Sequence, residues 1–273
     1  MTRHAIAAVP RSREAAKVGL YANLAGLYAR AGDLAAADRA LAEASRINDA
    51  SRSFSIFIPS YALAAMAAGL AEARGSVLAA QGEYARAEPL YRNAVTVIAR
   101  EPEFARSSWH DYLRGRLAES LVRQGRYLEG EAEARTALIQ SLRVRGRNAA
   151  PTANALMVLA FAVAQQGRAA DLEALARAAI DILEKAGTAP SSLMLAVARI
   201  SLGVSLAMQE RWRETLAVYE AVLEAGKGDP EALATFSGAD AVWAMALLQT
   251  GQTDRALPLL DAALARSRAA GDQ

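Results

Sequence analysis

The apolar and small positions of this chain follow a pattern that repeats. The phrase QGEYARAEPLYRNAV at 81–95 returns as QGRYLEGEAEARTAL at 124–138 and as TGQTDRALPLLDAAL at 250–264. Repeats are sought first because they decide the whole fold. Taking the Gly of each phrase as an anchor gives Gly32, Gly82, Gly125, Gly167 and Gly251, with Glu210 filling the same slot in QERWRET. Successive anchors are 50, 43, 42, 43 and 41 residues apart. Seven residues before each anchor sit Ala25, Gly75, Ala118, Ala160, Gly203 and Ala244, all small. Four before it sit Tyr28, Leu78, Leu121, Val163, Leu206 and Leu247, all large and apolar. Twelve after it sit Ala44, Ala94, Ala137, Ala179, Val222 and Ala263.

This pattern predicts helix hairpins. Each copy is a helix A, a tight turn at the anchor and a helix B. Glycine suits the left-handed conformation that ends a helix. Small residues at fixed slots let helices A and B approach closely, and large ones fill the space between copies. One hairpin cannot bury its own apolar face, but stacked hairpins share a continuous core. Pro10, Pro59, Pro102, Pro151, Pro190 and Pro230 fall roughly twenty residues before the six anchors, where proline is tolerated in the first turn of helix A. Pro89 and Pro258 share a slot near the start of helix B. No run of Val or Ile alternates as a strand would. The expected fold is therefore all-α: six hairpins in a right-handed α-solenoid. The repeats span about 12–50, 58–100, 102–147, 151–187, 190–227 and 230–271, forming one superhelical domain over 12–273. The extra residues around NDASRSFSIF lengthen a helix or a loop. Residues 1–11 are a tail or the remnant of an earlier copy, and uncovered array ends suggest self-association.

Composition agrees. Of 273 residues, 53% are apolar and only 6% aromatic, and alanine, the strongest helix former, dominates. The absence of Cys removes disulfides, thiolate metal sites and a cysteine nucleophile. The formal charge is +2, from 31 basic and 29 acidic residues. The densest basic run, Arg143, Arg145 and Arg147, reads as a solvated inter-helix loop, so no nucleic-acid partner is expected. No apolar run reaches the ~20 residues of a membrane span, and AIAAV near the N-terminus is too short for a signal-peptide core. The expectation is a cytoplasmic chain without a membrane partner.

The slots resemble the tetratricopeptide repeat (TPR). Gly75, Leu78, Gly82, Ala87, Tyr91 and Ala94 match its pattern in copy two, and Leu202, Gly203, Leu206, Thr215, Tyr219 and Val222 in copy five. Gly130, Leu172 and Thr215 depart from the usual Ala five after the anchor. The period near 42 is longer than the family's usual 34. It is similar to that of kinesin light chain and of bacterial arrays attached to signalling or CHAT-type (caspase-like) protease domains. The resemblance implies a binding or regulatory arm whose chemistry lies in another domain.

No catalytic, metal or cofactor site is expected. Ser108, His110 and Asp111 are sequence neighbours, and residues one or two apart on a helix do not face each other. His4 is distant, and two His without Cys make a poor zinc site. Trp109, Trp212 and Trp243 are read as packing. The resemblance implies a concave face lined by helix A. In copies four to six those slots hold Asn154, Met157, Phe161 and Gln165, then Val197, Ile200, Val204 and Met208, then Met245 and Leu248. Earlier copies place Arg30, Glu72, Glu119 and Arg123 there. Ala22 and Gly26 occupy slots where some TPR proteins hold a partner's carboxylate. The apolar lining suggests a protein or peptide segment docking as a helix or strand in a groove, with adaptable Met side chains. The competing reading is packing against neighbouring copies. The expected function is a non-catalytic scaffold. The alternatives are a small-ligand or peptide-sensing module and, less favoured, an all-α superhelical enzyme.

Overall fold

A computed structural model describes residues 16–52, 58–226 and 240–271. Among the described residues there are twelve helices and no strand. They are α1 (Ala16–Arg30), α2 (Leu34–Arg52), α3 (Ser60–Ala80), α4 (Tyr84–Ala99), α5 (Ser108–Arg123), α6 (Tyr127–Arg145), α7 (Ala150–Ala164), α8 (Ala169–Lys185), α9 (Leu193–Met208), α10 (Trp212–Gly226), α11 (Asp240–Gln249) and α12 (Thr253–Gly271). Odd-numbered helices are the A helices and even-numbered ones the B helices. The chain forms two compact units, residues 1–140 and 141–273, with the seam inside α6. Within each unit, neighbouring helices pack in chain order, each B helix also touching the next A helix.

Every A–B turn uses one device. The anchor glycines have φ between 73° and 79°, and Glu210 has φ 60°, the one positive-φ non-glycine among the described residues. The left-handed residue turns two amides back onto the end of helix A. In copy two, the Gly82 N–H donates to Ala79 O at 3.0 Å and the Glu83 N–H to Leu78 O at 2.9 Å. Arg126 repeats the second bond to Leu121, and Arg211 repeats it to Leu206. The large residue four before the anchor thus supplies both a packing side chain and the carbonyl that closes the turn.

The small slot seven before the anchor is where A and B helices touch. Ala25, Ala118, Ala160 and Ala244 are buried there. At Gly75 and Gly203 an added Cβ would lie 2.8 Å from the ring of Tyr91 or Tyr219 respectively. Those are the two copies with Tyr nine residues after the anchor, where the others carry Leu or Ala. Residue size is therefore balanced across the pair. Gly130, a departure from the family pattern, follows the same logic: a Cβ there would meet Val122 Cγ2 at 2.5 Å and Ala118 O at 2.9 Å.

Polar staples join successive copies, and they repeat with a shift of 85 residues. In the first unit Glu88 on α4 accepts from Arg92, Gln124 and Arg126, and Arg126 also binds Glu129. In the second, Glu173 on α8 accepts from Arg177, Gln209 and Arg211, and Arg211 also binds Glu214. Hydrogen bonds from Gln209 and Arg177 hold the Glu173 carboxyl down at about 2, against an ordinary 4.5.

Several expectations change at the helix ends. Pro59 caps α3 and Pro151 opens α7 as expected. Pro102 and Pro190 instead lie in turns ahead of their helices. There Ser107 and Ser192 start α5 and α9, their side chains accepting the His110 and Leu195 amides, which serves the first-turn donors better than proline can. Pro10, Pro230 and His4 lie outside the described residues. Arg143 and Arg145 are not in a loop but in the last turn of α6, which favours cations and ends at left-handed Gly146. The surplus after copy one shows in α3, which has 21 residues and starts 22 before its anchor, against 17 for α5, α7 and α9, whereas α2 ends 20 after its anchor just as α6 does. Among the described residues one helix, α3, is long and apolar enough to cross a membrane by length and composition. It carries Glu72 and Arg74 and packs within its hairpin.

Three outcomes follow from this packing. Gly203→Ala should cost about 2 kcal/mol by overpacking. Tyr219→Leu should cost a similar amount through the cavity it leaves, with no hydrogen bond lost because the Tyr219 hydroxyl is buried without a partner. The double variant should recover at least about 1 kcal/mol relative to the sum; strictly additive urea melts would refute the size balance. Glu210→Gly should raise stability by about 1 kcal/mol by relieving the left-handed backbone, since Glu210 is exposed; an unchanged melting temperature would contradict this. The Glu173 carboxyl is depressed on folding, so its contribution is present above its unfolded value of 4.5 and is lost as pH falls toward 2. The drop in melting temperature across that window should therefore be smaller in Glu173→Gln than in the parent.

Candidate functional site

The A helices of the second unit, α7, α9 and α11, bury one side against B helices. Ala153, Ala160, Leu195, Leu206, Ala244 and Leu247 lie on that side. Helical periodicity places the predicted lining on the other. All ten of those residues are at least partly open to solvent. Asn154, Gln165, Val197, Met208 and Met245 are exposed, and Met157, Phe161, Ile200, Val204 and Leu248 are half-buried. Val197, Met208 and Met245 remain 40%, 41% and 45% exposed although large and apolar.

Only part of this set converges. Val204, Ala207 and Met208 of α9 face Ala241, Val242 and Met245 of α11 across a depression of about 330 Å³, with Trp212 closing one side. Asn154, Met157, Phe161 and Gln165 of α7 do not line it. Leu248 packs with Trp243 against the cluster of Leu216, Ala244, Leu247 and Ala256, so it serves the core as well as the face. Trp212, read from the sequence as packing, is half-buried and forms a wall of the depression. Its place two residues after the anchor, at the head of helix B, is the signal that could have found it. No charged side chain lines this depression, so it favours an apolar surface over an ionic one.

The first unit carries a different chemistry. Glu72 on α3 is 8% exposed, and its Oε1 accepts from Ser76 Oγ at 2.8 Å and Tyr112 OH at 3.1 Å. Arg116 lies over the Tyr91 ring at 5.3 Å and donates to Tyr91 OH and to Glu119. Burial, with the Glu72 charge nearby, pushes the Tyr112 hydroxyl up to about 12, so it stays a donor to the carboxylate. Arg123 stacks on Tyr84 at 6.0 Å.

The Ser108, His110 and Asp111 trio does not converge. His110 is buried with Nδ1 3.0 Å from Ala105 O and 3.0 Å from Gln140 Nε2. Burial and the Arg114 charge hold its imidazole below its ordinary value. These contacts tie the turn before α5 to α6, a structural task. Among the described residues, no group of three or more His, Asp or Glu could hold a metal ion.

No protein-family model matches the sequence, and a search of curated proteins found no match. Solved structures do match. BtubC (BKLC) from P. vanneervenii superposes with a TM-score of 0.65 at 21% identity, covering 86% of this chain and 92% of its own. A putative kinesin light chain from Podosopora anserina, with nearly identical TPR-like repeats, gives 0.54 at 15% identity, covering 76% and 92%. A Rap protein complexed with competence and sporulation factor gives 0.63 at 10% identity, covering 94% and 76%. The expected all-α fold of TPR-like hairpins is the one these structures share with this chain.

Proposed function

We propose that this chain, a TPR-type repeat protein, is a non-catalytic scaffold that holds a protein or peptide segment on the helix A face of its second unit. The observation that carries the reading is the exposure of Met208 and Met245 at the depression that Trp212 closes. Apolar side chains left open on one face, while the small slots opposite are fully packed, mark an interaction surface. The depression suits an apolar anchor on a helix or an extended segment, and its two Met side chains can adapt to the anchor's shape. The Rap neighbour, complexed with competence and sporulation factor, supports a bound partner on this fold.

Val204 lines the depression and is only half-buried, so Val204→Glu should leave helicity intact. Capture on the immobilised chain from its native lysate, read by mass spectrometry, should lose the partner by about tenfold or more with the variant. Equal recovery by parent and variant would remove the second unit's face from the reading.

A further inference from the structure

We propose that the first unit carries a separate pocket that takes the arginine side chain of an extended peptide. The A helices α1, α3 and α5 enclose a cleft of about 430 Å³. Its walls include Gly19 and Asn23 of α1, Met66, Gly69 and Glu72 of α3, and Trp109 of α5. The site lies wholly within the first unit and draws nothing from the apolar face of the second, so either reading can fail alone.

The two glycines separate this cleft from ordinary packing. A helical glycine costs about 1 kcal/mol against alanine. At Gly75, Gly130 and Gly203 that cost is explained, because a Cβ would collide. Among the described residues, a Cβ at Gly19 would meet nothing within 4 Å, and one at Gly69 only the Trp109 ring at 3.9 Å. Neither has a left-handed backbone. Close packing requires neither glycine: Gly19 faces open space, and a Cβ at Gly69 would only reach ordinary contact with Trp109.

The chemistry of the walls selects the occupant. A buried carboxylate needs hydrogen-bond partners, and Glu72 is buried. Its two hydrogen bonds, from Ser76 and Tyr112, both fall on Oε1. Arg116 is close enough for its charge to act on Glu72, but its hydrogen bonds go to Glu119, Tyr91 and Ser76, and Arg30 is exposed at the end of α1. Among the described residues lining the cleft, Glu72 is the charged one. Trp109 is held edge-on against Phe104, with ring centroids 5.8 Å apart and planes at 88°. An indole beside a buried carboxylate favours a flat cation, which can stack on the ring and donate to the acid at once. Met66 offers a surface for the methylene stem, and the Asn23 side chain adds an acceptor at the exposed edge. The volume exceeds that of one arginine side chain, leaving room for flanking peptide backbone.

The test uses the full chain carrying fluorotryptophan at its three Trp positions, with the Trp109 fluorine signal assigned through Trp109→Phe. The probes are the blocked tripeptide acetyl-Gly-Arg-Gly-amide and its citrulline counterpart, which has the same shape and no charge. The arginine peptide should shift the Trp109 signal saturably, and the citrulline peptide should bind about tenfold more weakly or worse. Glu72→Gln keeps an acceptor for Ser76 and Tyr112 and should weaken the arginine response by about tenfold or more. Gly19→Leu favours the helix, fills the cleft and should abolish the response. The proposal is overturned by any of three results: no shift of Trp109 up to the solubility limit of the peptide, equal shifts from the two peptides, or an undiminished response in either variant.

Discussion

A helix can end and reverse within two residues only if one of them adopts a left-handed backbone and presents new donors to the last carbonyls. That constraint is met six times in this chain, five times by glycine and once, with strain, by Glu210. Once the turn is set, the direction of helix B is set with it. The slot seven residues earlier then has to be small, because that is where the two helices meet. Where helix B brings Tyr91 or Tyr219 to the contact, even alanine is too large and the slot becomes Gly75 or Gly203. The repeat is thus a chain of consequences from one backbone torsion per copy, and alanine is abundant because the contact it governs leaves little room.

The hairpins still need to be placed against one another. Apolar packing does most of this, as in the cluster where Ala87, Tyr91 and Ile98 of α4 meet Leu113, Leu117 and Leu121 of α5. It is non-directional, and the Glu88 and Glu173 staples add direction. Each binds a Gln and an Arg from the next copy's turn, on either side of the anchor. The left-handed residue therefore places the flanking polar side chains as well as the helix. Exposed ion pairs add little stability individually, and a partly buried, multiply bonded carboxylate such as Glu173, 16% exposed, is the better candidate for fixing register.

Most of the fold was legible because its constraints are short-range and periodic. Fixed offsets from the anchor located the turn, the small slot and the large slot, and the structure uses each of them. Helix starts were less legible, since Ser107 and Ser192 displaced the prolines as the starting signal. The staples were missed because their acids, six residues after the anchor at Glu88, Glu131 and Glu173, resemble ordinary surface charge until their partners are seen. Of the proposed lining, Val204, Met208 and Met245 come together, whereas the α7 residues do not share their depression. Offset alone says which side of a helix a residue occupies. Whether neighbouring A helices bring those sides into one hollow depends on tertiary contacts the pattern does not encode.

The same division explains why function is the least legible property. Turn, small slot, large slot and staple consume a fixed share of each copy, and the outward side of helix A is left free by all of them. Copies can then differ there at little cost in stability: α9 and α11 expose Met and Val, while α3 and α5 place Glu72 and Trp109 beside a void. A residue that breaks the packing rules on this face carries more information than one that obeys them. Gly19 is such a residue, because it accepts the helix penalty of glycine where neither a turn nor a close neighbour demands it. The chemistry of this chain is best sought where its repeat grammar leaves a choice and the choice made is locally unfavourable.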